Sequence, residues 1–66
     1  MQIKVTDGQF DIVWTITRND ADVTTVTQVD RLGTYPLDFR NEHRAVTWML
    51  DQAHYAVNDM GFNYTL

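Results

Sequence analysis

The chain has 66 residues, 9 acidic and 5 basic side chains, a formal net charge of −4 and no cysteine. This admits one small domain over residues 1–66 and excludes disulfides and any cysteine-ligated zinc site. Lys4, Arg18, Arg31, Arg40 and Arg44 are scattered rather than clustered, which argues against direct nucleic-acid binding and against an anionic membrane surface as partner.

A domain of this size buries only about 60% of the surface its unfolded chain exposes. Its core is therefore expected to lean on efficient packing or on a partner chain. No apolar run approaches the ~20 residues of a membrane helix. The first ten residues, MQIKVTDGQF, lack the apolar stretch and cleavage site of a signal peptide, so the expected compartment is the cytoplasm. Without a secretion signal, the sequon at Asn63, Tyr64 and Thr65 reads as accidental.

In chain order, residues 2–6 alternate, with Ile3 and Val5 on one face, and Asp7-Gly8 follows as a turn dipeptide. Residues 10–18 form the clearest strand: Phe10, Ile12, Trp14 and Ile16 face the core, opposite Asp11, Val13, Thr15 and Thr17. A polar turn is expected over residues 19–22. Residues 23–32 are rich in Thr and Val and favour a third strand. Their apolar positions, Val23, Val26, Val29 and Leu32, fall every third residue. A β-bulge is expected near residues 25–28 to reconcile that spacing with a strand.

Gly33 ends this segment, and Tyr35-Pro36 is extended or turning. Asp38 is the expected helix N-cap, with Asn41 as the alternative. From residue 39 to residue 60 apolar residues recur at helical spacing, and Gly61 is the natural terminator. Residues 62–66 alternate again, as a short fourth strand or as an aromatic tail docked on the core. The expected fold is α+β: a three-stranded antiparallel β-meander packed on one long C-terminal helix.

Catalytic chemistry has little to draw on. Serine and cysteine are both absent, so neither common nucleophile-His arrangement can be built. His43 and His54 lie eleven residues apart on the expected helix, about 16 Å along its axis, too far to share a metal ion. Asp51 and His54 supply two ligands where a site needs three or four. Asp20 and Asp22 read as turn chemistry. The three glycines sit at element boundaries and form no phosphate-binding loop. No catalytic residue, metal, cofactor or small-molecule substrate is expected. The segments Thr15-Ile16-Thr17 and Thr25-Val26-Thr27 suit solvent-facing strand positions and would align as a two-rank threonine ladder on neighbouring strands.

One feature is not accounted for by folding. With Val46 at zero on a helical wheel and the core stripe centred between Met49 and Leu50, Trp48 falls at about 200° and Tyr55 at about 180°. Both aromatics then point outward, among Arg44, Asp51 and Gln52. Aromatics beside arginine are typical of protein interfaces. The expected function is thus a non-enzymatic protein-interaction module, a homodimer through the outer face of the C-terminal helix. A different reading rests on Asp7, Asp11, Asp20, Asp22, Asp30 and Asp38 in the strand-rich half. The size and acidity resemble those of small accessory proteins of mobile elements. That reading is an acidic inhibitor or nucleic-acid mimic bound to a basic site on a host protein.

Overall fold

A computed structural model describes residues 1–19 and 22–65. Part of the turn expected over residues 19–22 and the last tail residue, Leu66, lie outside the described residues, as does Asp20 of the acidic set. The elements are β1 (Gln2–Thr6), β2 (Asp11–Arg18), β3 (Thr24–Asp30), β4 (Gly33–Phe39), α1 (Glu42–Asp59) and β5 (Asn63–Tyr64). They form an α+β fold, with one antiparallel sheet in the order β4-β3-β2-β1-β5. The first four strands meander. The helix then crosses one face, from the β4 edge to the β5 edge. No helix among the described residues is long and apolar enough to cross a membrane.

Alternation explains the inner face. Ile3 pairs with Trp14 and Val5 with Ile12, and Ile16 continues across to Val26. Val5, Trp14 and Val26 are buried beneath the helix. The indole Nε1 of Trp14 donates to Gln28 Oε1 at 2.9 Å, which lets a large amphipathic ring enter the core without an unpaired N–H. Among the described residues no element covers the opposite face. There Thr15 pairs with Thr27 and Thr17 with Thr25, the expected two-rank ladder.

The structure corrects the sequence reading in several places. A fourth strand, β4, stands where an extended or turning segment and the start of the helix were expected. Pro36 lies in its middle, and an edge strand tolerates the missing N–H that a central strand would not. No bulge interrupts β3: its pairing with β2 is regular from Thr24 to Val29. The three-residue spacing misled because Thr24, a polar residue, is buried on the inner face while Val29 is exposed. Phe10 precedes β2 and is exposed, not core. The helix starts at Glu42, not at residue 39, and its cap is Asn41 rather than Asp38. Asn41 Oδ1 accepts from the His43 amide at 2.8 Å and the Arg44 amide at 3.4 Å. Asp38 instead accepts from the Thr25 hydroxyl at 2.6 Å across the sheet.

The helix is also rotated. It buries Ala45, Met49, Ala53 and Ala56, a stripe turned by about 50° from the expected one at 100° per residue. Trp14, Met49 and the sheet valines fill the space between the layers, so small alanines give the helix a close approach to the sheet. Leu50 is left exposed. Past the helix end, Gly61 takes a positive φ of 80°, a left-handed conformation that favours glycine. The Ala56 carbonyl accepts from the Met60 and Phe62 amides at 3.2 and 3.1 Å. This turn drops Phe62 into the core and sends Asn63 and Tyr64 to the β1 edge.

Candidate interaction surface

Trp48 does not point straight outward. The helix rotation places it about 100° from the centre of the buried stripe, where it is half-buried against the core. Its ring meets that of Phe39 at 5.9 Å between centroids, tilted by 45°. The residue that ends β4 therefore braces the helix, and Trp48 keeps one side toward solvent. Tyr55, two turns further along, is 58% exposed.

Arg44, Trp48 and Asp51 line one shallow depression of about 430 Å³ together with Phe39, His43 and Thr47. Tyr55 and Gln52 lie outside it, and Gln52 is half-buried. The positions 44, 48, 51 and 55 follow the spacing of an interhelical seam, so these four residues form a continuous strip along one flank. Neither Arg44 nor Asp51 joins an ion pair among the described residues; the pairs there are Lys4–Asp11 and Arg18–Glu42, each at 3.5 Å. The inner face of β4 extends the apolar surface: Tyr35 and Leu37 are 49% and 43% exposed. Their alternation with Phe39 is a strand signal in the sequence, and Pro36 masked it.

The acidic residues do not make one surface. Asp7, Asp11 and Asp30 meet at the end of the sheet that carries the β1–β2 and β3–β4 turns. Asp38 lies at the other end, where β4 leads into the helix. Hydrogen bonds from the amides of Phe10 and Gln9 hold the Asp7 carboxyl below the usual range. The Leu32 amide and the Gln28 side chain do the same for Asp30. The Thr6 hydroxyl, and then Lys4, lower Asp11. Two of these three are held chiefly by turn amides, as Asp commonly is. No group of three or more side chains able to hold a metal ion occurs among the described residues.

No family model, no curated protein and no solved structure matches this chain. The surface has to be read from its own chemistry.

Proposed function

We propose that the chain is a non-enzymatic protein-interaction module that pairs with a second copy of itself along the flank of α1. The observation that carries this reading is the strip Arg44, Trp48, Asp51 and Tyr55, in which two exposed charges of opposite sign flank a half-open indole. The strip is self-complementary. An antiparallel two-fold axis at the level of Thr47 and Trp48 sets Arg44 of each copy level with Asp51 of the other. The same axis sets Tyr55 of each copy beside the N-terminal end of the other's helix, which starts at Glu42. An isologous contact of this kind pairs each charge on the strip with its opposite, two pairs per dimer, and Tyr55 adds aromatic area beside them. The sheet edges are poor alternatives. Pro36 blunts the β4 edge, and β5 is two residues long.

Charge reversal tests the arrangement. Arg44→Asp and Asp51→Arg each place like charges across the axis, so each alone should sediment as a monomer. Mixed in equal amounts, they should form a heterodimer, because every cross-axis pair is then of opposite sign. Failure of the mixture to associate, with both variants folded by circular dichroism, contradicts the two-fold register.

A further inference from the structure

The helix ends at Asp59. Beyond it lies a cleft of about 360 Å³ between the β1–β2 turn, the β3–β4 turn and the helix C-terminus. Its walls are apolar: Phe10, Ile12, Leu32, Met60 and Phe62. Leu32 is 75% exposed at its mouth. This volume falls within the range of ordinary ligand clefts.

The rim is anionic. Asp7, Asp11 and Asp30 line it against a single cation, Arg31. Lys4 lies nearby but is engaged by Asp11 at 3.5 Å. The last turn of the helix carries no basic residue, so the partial negative charge of its end adds to the rim. Arg31 shows what the site accepts. Its guanidinium carbon lies 4.7 Å from the centroid of Phe10, over the ring face, and its charge also acts on Asp7 and Asp30. An aromatic wall, carboxylates within reach and an apolar floor together suit a cation carried on an apolar stem.

We propose that this cleft docks a segment of another protein in which arginine or lysine alternates with large aliphatic residues. The incoming cation takes the face of Phe10, displacing Arg31, and the aliphatic side chain packs between Leu32 and Met60. Trp48 lies twelve residues from Met60, about 18 Å along the helix axis, so the cleft and the pairing strip are separate surfaces on the same molecule.

Amide chemical shifts of the full chain, titrated with the peptide Ac-Arg-Leu-Arg-Leu-NH2 and with its glutamate counterpart Ac-Glu-Leu-Glu-Leu-NH2, test the proposal. The basic peptide should move Gln9, Phe10, Leu32 and Gly61 saturably, and the acidic one should not. Phe10→Ala and Leu32→Ala should each weaken binding by about tenfold, as for the anchors of a small interface. Both side chains are exposed enough that the fold should survive their loss. Arg31→Ala should strengthen binding severalfold by freeing the ring. Three outcomes overturn the proposal. One is shifts scattered over all the acidic residues, and another is an affinity unchanged by Phe10→Ala and Leu32→Ala. The third is concentration-dependent shifts of the same amides without peptide, which make the occupant a second copy of this chain.

Discussion

At Asp7 and Asp30 the same side-chain chemistry closes two different turns. Asp7 Oδ1 accepts from the Gln9 and Phe10 amides at 2.9 and 2.7 Å. Asp30 Oδ1 accepts from the Leu32 amide at 2.8 Å, and its Oδ2 from Gln28 Nε2 at 3.1 Å. Both carboxyls are depressed by these bonds. A depressed carboxyl contributes stability above its unfolded-state pKa and loses it as pH falls through the folded-state value. Stability should therefore be flat from neutrality to about pH 5 and fall below about pH 4, where ordinary aspartates protonate. Urea titrations across that window check this, and Asp7→Asn should flatten part of the decline. Gln28 joins the Asp30 turn to the Trp14 indole in the core, so the acid transition should also change tryptophan fluorescence. Asn41 is another residue whose role is local. Its loss in Asn41→Ala should cost about 1 kcal/mol, the usual value of an N-cap, measured by thermal or urea denaturation.

At the scale of elements, the close seating of α1 on the sheet depends on alanine. Ala53 is fully buried, and Ala53→Leu should destabilise by about 1–3 kcal/mol through overpacking, against near neutrality at an exposed helix site. The last helical turn contains Asp59 and no base, opposed to the helix dipole. Asp59→Lys should then stabilise by about 0.3–1 kcal/mol, read as a raised melting temperature at low salt. What could be read from the sequence at this level followed from periodicity. Strands β1 and β2, the helix, its glycine stop and the threonine ladder all stood out, because each has an unbroken period or a strong terminator. What the sequence concealed has specific causes. Pro36 and a fully solvated outer side concealed β4. Thr24 took a core position that hydrophobicity alone assigns to a neighbour. The helix stripe was misplaced because large residues dominate a hydrophobic wheel, whereas a tight helix–sheet contact selects small ones. That rotation decided what became of the interface residues. Arg44, Trp48 and Asp51 still share one depression, but Trp48 leans on Phe39, which ends β4 instead of starting the helix.

Among the described residues the core holds eight buried apolar side chains, three of them alanine. So small a core leaves modest stability for one copy and makes association a ready supplement. Its two candidate surfaces differ in chemistry. The flank of α1 is nearly balanced in charge and aromatic, which suits a copy of itself. The turn end is apolar with an anionic rim, which suits a basic segment. Pairing through the flank of α1 is tested most directly by sedimentation velocity of the unmodified chain from low to high micromolar concentration. A reversible monomer–dimer equilibrium is predicted, with Tyr55→Ala shifted toward monomer by about tenfold in dissociation constant, as for an aromatic interface anchor. A single monomeric species across that range, the same for the unmodified chain, Tyr55→Ala and Trp48→Ala, would contradict it.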